Sequence, residues 1–168
     1  GASPRASINL SLAAKAFADY WNIGASYGHY LSYGNFRMEE KTGLNVRQWM
    51  PSGVIINGKL EPLNPDKIQE FVSNSHYSST SGLHPYEGQP TPNPDRGYSW
   101  LKAPRYAGNP MEVGPLARVM VAYMTPGCDW VKKEVDSVLA SAQLTPDKLN
   151  SVLGRHLARG LEAKWLVG

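Results

Sequence analysis

Four charged side chains, Lys102, Arg105, Glu112 and Arg118, lie close together in the words Tyr98-Ser-Trp-Leu-Lys-Ala-Pro-Arg-Tyr106 and Met111-Glu-Val-Gly-Pro-Leu-Ala-Arg118. Pro104 fixes its own φ and biases Ala103 toward an extended backbone, so Lys102 and Arg105 flank a stiff turn. Tyr98, Trp100 and Tyr106 would lower the dielectric around them, and an ammonium or guanidinium in such surroundings needs a carboxylate or water. The spacing predicts that the four charges converge, with Glu112 able to pair with either Lys102 or Arg105. Such a cluster is either an ion-pair network that fixes a turn or a functional site, and the pattern alone leaves both open.

Other chemistry-bearing residues form no recognised set. The histidines are His29, His76, His84 and His156, at spacings that give neither HExxH nor a helical i,i+4 pair. One cysteine, Cys128, excludes an internal disulfide framework, a CxxC redox pair and a four-thiolate site built from these residues alone. Away from a CxxC context it reads as simple packing. GxSxG, a phosphate loop and a dinucleotide fingerprint are all missing, so a self-contained enzyme is disfavoured. Glu39-Glu40-Lys41 and Lys132-Lys133-Glu134 read as solvated faces.

The elements that must position these residues follow from periodicity and punctuation. Ile8, Leu12, Ala16 and Tyr20 recur four apart, which predicts a helix from Ser7 to about Trp21. Residues 23–36 alternate glycine and tyrosine and read as extended or looped. Asn57-Gly58 between Val54-Ile55-Ile56 and Leu60 predicts a β-hairpin, because both central turn residues must take positive φ. Asn64-Pro65 reads as the cap and first residue of a short helix reaching about Ser75. Residues 75–97, rich in Ser, Gly and Pro, read as irregular. Helices are predicted from Gly114 to Tyr123, from Asp129 to Ala142, and from Thr145 nearly to the C-terminus; the last has Leu149, Leu153, His156, Leu157, Leu161 and Trp165 on one face. The fold class expected is mainly α with some β (α+β): a helical scaffold, one β-hairpin and long Gly/Pro-rich loops.

The 168 residues suit one domain, 4–168, after an expression or processing remnant at 1–3. Seventeen Lys+Arg against 14 Asp+Glu give a formal +3, too small and dispersed for a nucleic-acid footprint. No apolar run is long enough to span a membrane. Charged residues are only 18%, which suits a piece largely covered by partners.

The two words quoted first, together with Leu31-Ser-Tyr-Gly-Asn-Phe36, Gly53-Val-Ile-Ile-Asn-Gly58, Gly82-Leu-His-Pro85 and Leu153-Gly-Arg-His-Leu-Ala-Arg159, resemble the large subunit of the nickel-iron hydrogenases. They come in that family's order and resemble only its central portion. The resemblance implies a parent reaction that interconverts dihydrogen with two protons and two electrons. It implies a nickel-iron centre held by four cysteines from two CxxC-type motifs, neither of which is in this sequence, so no catalytic residue is assigned and the chain alone is expected to bind no cofactor and to be inactive. It also implies a magnesium-bound water network, whose outer-shell lysine Lys102 matches and whose glutamate Glu70 matches. The implied partners are the remaining parts of the large subunit and an iron-sulfur small subunit, in a periplasmic or membrane-associated setting. The alternative function is a non-catalytic scaffold or subunit-binding module derived from that family.

Overall fold

A computed structural model describes residues 16–41 and 46–167. The chain divides into two compact units, one formed by residues 1–63 with 112–168 and the other by 64–111.

In the first unit, β1 (Tyr30–Arg37), β2 (Gln48–Ile56) and β3 (Lys59–Glu61) form an antiparallel sheet in the order β1-β2-β3. The predicted hairpin is the β2–β3 turn: Ile56 faces Lys59, with Asn57 at φ 51° and Gly58 at φ 73°. Three helices follow: α1 (Pro115–Met124), α2 (Asp129–Ser141) and α3 (Val152–Val167). Their apolar stripes, among them Leu116, Val119, Val131, Val135, Leu157 and Leu161, close over Met50 and Ile55 of β2.

The second unit contains a two-stranded antiparallel sheet, β4 (Ile68–Phe71) and β5 (Ala103–Tyr106), with Glu70 opposite Pro104. Among the described residues, no further strand or helix lies between β4 and β5.

The expectation of a mainly helical fold is therefore corrected: five strands in two sheets accompany three α-helices among the described residues. For β1, β2 and β4 the difference has a physical reason. Gly34 at φ 79° and Phe36 at φ 53° interrupt the regular pattern of β1. A Cβ on Gly34 would lie 2.0 Å from Gln48 Oε1, on the side chain that donates across the ladder to Tyr33 O and accepts from Ser52 N of its own strand. Pro51 disguises β2, and is tolerated because β2 pairs with β3 only from Val54 onward, so its missing N–H removes no bond to that neighbour.

The segment after Asn64 is also corrected. Asn64 Oδ1 does accept from Asp66 N at 3.0 Å, but the capped element is a single 3-10 turn, Pro65–Lys67, and the chain then extends into β4. Ile68, Phe71 and Val72 form an apolar run too short to separate the two periods, and pairing with β5 decides it.

The C-terminal helix is divided. Pro146–Leu149 is a 3-10 turn, and α3 begins after Ser151, whose Oγ accepts from Gly154 N at 3.0 Å as a capping serine does. Leu149, Leu157 and Leu161 are buried as expected, Leu153 is half-buried, and His156 lies exposed, outside the apolar face. Of the predicted first helix, residues 7–15 lie outside the described residues; Ala18–Trp21 forms a 3-10 turn with Trp21 buried.

Candidate functional site

β4 and β5 bring Glu70 and Lys102 together although 32 residues separate them. The β4–β5 register sets Phe71 against Ala103, so Lys102 enters the sheet where Glu70 leaves it. Glu70 is held from its other side as well: its N–H donates to Leu83 O at 2.8 Å, and its carbonyl accepts from Gly82 N at 2.9 Å. Lys102 Nζ then donates to Glu70 Oε2 at 2.6 Å, each side chain being 28% exposed. Both line a recess of about 10 Å³, shared with Val72, Ser79, Thr80, Leu83, Gly88 and Pro90. That is room for on the order of one water.

The other charges expected to join Lys102 do not. Arg105 Nη1 donates to Pro104 O at 2.8 Å. Glu112 pairs with Arg155, and Arg118 pairs in parallel with Glu162 at 2.5 and 2.7 Å. That pairing, with its charge-assisted hydrogen bonds, raises the Arg118 pKa above its ordinary value. The expected cluster thus resolves into three separate ion pairs. Arg155 and Glu162 stand some forty residues downstream of their partners, and their seven-residue spacing, which puts both on one face of α3, is a weak sequence signal.

Cys128 is half-buried at the N-cap of α2, without a side-chain capping bond. Burial, assisted by the nearby Asp129 carboxylate, pushes its thiol pKa up and keeps it protonated. It lines an open groove of about 550 Å³ with Arg47, Trp49, Pro126 and Trp130. Among the described residues, no three His, Cys, Asp or Glu side chains are gathered as metal ligands would be.

One protonated thiol does not fit the four-thiolate nickel-iron centre that the resemblance implies. Lys102 and Glu70 set a donor and an acceptor side by side on one recess of water size.

The sequence model of the family described as nickel-dependent hydrogenase matches residues 7–168. The uptake hydrogenase large subunit of Rhizobium leguminosarum bv. viciae is 36% identical over 169 residues, covering 84% of this chain and 28% of that protein. The hydrogenase-1 large chain of Escherichia coli K12 is 34% identical, covering 82% of this chain and 27% of that one. Among solved structures, the Ni-Fe-Se hydrogenase of D. vulgaris Hildenborough in its as-isolated oxidised state superposes with a TM-score of 0.80 at 30% identity, over 98% of this chain and 35% of its own. The chain therefore spans between about a quarter and just over a third of the length of these relatives. A match across nearly every residue, joined to the same fold, places this chain in the nickel-dependent hydrogenase family, as a stretch of its large subunit.

Proposed function

We propose that this chain is a central portion of a nickel-iron hydrogenase large subunit and serves the reversible oxidation of dihydrogen to two protons and two electrons. The observation that carries the reading is the family match over residues 7–168, which leaves no large part of the chain to another function. When bound, the nickel-iron centre supplies the cleavage of dihydrogen; its thiolates belong to the remaining parts of the large subunit, and the electrons pass to an iron-sulfur small subunit. What this chain contributes is support. The first unit supplies a packed helical and β scaffold, and the second holds a lysine and a glutamate in fixed relation.

Lys102 and Glu70 are proposed as outer-shell groups of a magnesium-bound water network. Glu70 accepts from the ammonium through Oε2, which leaves Oε1 able to accept from water. The ammonium has three donors and spends one on Glu70, so two remain for ordered water in the recess. Together they can orient a water in the recess without binding a metal themselves.

The test is Lys102→Met in the assembled enzyme. Turnover should fall about ten-fold or more, the range for losing a group that orients metal-bound partners, with nickel content unchanged. Unaltered turnover overturns the assignment.

A further inference from the structure

We infer that Tyr77 is a positioning residue for the Lys102 ammonium, holding it against Glu70 through the face of its ring. The inference rests on the proposed outer-shell role of Lys102 for its functional meaning, but its geometry stands independently. Lys102 Nζ lies 6.0 Å from the Tyr77 ring centroid and 2.6 Å from Glu70 Oε2. A lysine carries its charge on a flexible four-carbon stem, and one hydrogen bond fixes the distance of the ammonium from its partner without fixing the stem. An aromatic face on another side restricts it further, because the ring quadrupole attracts a cation over its face.

Tyr77 is itself braced. Its ring meets Trp100 edge-on at 5.7 Å between centroids, and Trp100 lies 4.8 Å from the ring of His76. His76 is anchored in turn: Nδ1 lies 2.5 Å from Arg96 O, its own N–H donates to Ser99 O at 2.8 Å, and its carbonyl accepts from Asn93 N at 2.8 Å. With Nδ1 donating to that carbonyl, the imidazole is held in place beside Trp100. Ser78 N donates to Thr91 O at 2.9 Å on the far side of Tyr77. Residues 75–78 are thus gripped by 91–93 and by 96–101, and the order of contact runs His76, Trp100, Tyr77, Lys102, Glu70. Of this row only Glu70 stands on a regular element, β4, so the rigidity of the other four comes from side chains and loop hydrogen bonds.

The experiment is side-chain NMR of the lysine ammonium groups in the full chain, with the exposed Lys59 as reference. In the unsubstituted chain the Lys102 Cε protons should show an upfield ring-current displacement, and the Cε–Nζ axis should be markedly more ordered than that of Lys59. Tyr77→Leu should raise the disordered fraction of the Lys102 ammonium about two- to five-fold, the range for an exposed cation–π contact. Tyr77→Phe should restore it, since it keeps the ring face and loses only the hydroxyl. A general loosening of the loop would give no such rescue. If Tyr77→Leu does not fold, the ring-current displacement in the unsubstituted chain still decides: its absence overturns the inference. So does unchanged Lys102 order in a folded Tyr77→Leu chain, or failure of Tyr77→Phe to restore it. If Lys102→Met leaves the assembled enzyme unaffected while Lys102 order still follows Tyr77, the positioning holds and the outer-shell reading alone is lost.

Discussion

Arg155 and Glu112, 43 residues apart, meet through two parallel hydrogen bonds, Nε to Oε1 at 2.6 Å and Nη2 to Oε2 at 2.8 Å. The remaining Arg155 nitrogen donates to Gly24 O at 2.6 Å, while Glu112 N donates to His29 O and Glu112 O accepts from Leu31 N. One bidentate pair therefore ties α3 to the residues before α1 and to the approach to β1. Substituting Glu112 with Gln keeps the shape but removes the charge, leaving a guanidinium only partly open to water. The expected loss is about 1–3 kcal/mol, below the range for a fully buried pair because the Arg155 side chain is 33% exposed. Urea unfolding of Glu112→Gln against the unsubstituted chain measures it, and an unchanged midpoint would show that the pair contributes nothing.

Tyr30 should set the alkaline limit of stability. It is 3% exposed, and burial raises its pKa, with the Glu112 carboxylate adding to the shift. A group raised in the folded state contributes stability that is fully present below its unfolded pKa, near 10, and lost as pH rises through the folded value. Above pH 10 the unfolded chain gains by ionising Tyr30 and the folded chain does not. Tyr30→Phe removes that drive, so its unfolding midpoint should fall less steeply than the unsubstituted chain's between pH 9 and 11, as followed by circular dichroism. Parallel curves would sink this account.

Gly154 should not accept a side chain. A Cβ there would stand 2.0 Å from Leu149 O, a backbone atom held by the preceding 3-10 turn. Gly154→Ala gains helix propensity elsewhere worth under about 1 kcal/mol, yet overpacking costs about 1–3 kcal/mol, so destabilisation wins. Differential scanning calorimetry should show a lower Tm. Gly160, also in α3, has open space around it, so Gly160→Ala should raise Tm modestly and serves as the opposite control.

Incubated with nickel and then desalted, the isolated 168-residue chain should retain well below one nickel per chain, since it holds one cysteine and that thiol is kept protonated. Elemental analysis decides, and near-stoichiometric retention would mean that another donor set exists.

Much of the scaffold was legible because it is local. The Asn57-Gly58 turn, the starts of α1 and α2, and the leucine row of α3 each depend on residues within a few positions of one another. Glu70 and Lys102 were legible as a pair of candidates only through resemblance to a known family; nothing in their 32-residue separation announces a contact, and the ladder that makes it involves a strand misread as a helix. Tyr77 and His76 gave no signal, since the stack they form depends on loop hydrogen bonds that periodicity does not encode. Glu112 does not join Lys102 because proximity in sequence is not proximity in space, and α3 offers Glu112 a better-shaped, planar partner in Arg155.

The discontinuity of the first unit bears on how the chain is made. A ribosome that has released residue 63 has delivered the β2–β3 hairpin but none of α1, α2 or α3, whose side chains complete the core around Met50 and Ile55. The second unit, 64–111, emerges whole in the interval, roughly 2–10 s at ordinary elongation rates. The chain thus finishes its middle before its beginning, and the nascent sheet must be kept from other strands until Glu112 arrives to take Leu31 N and Arg155 arrives to take Glu112.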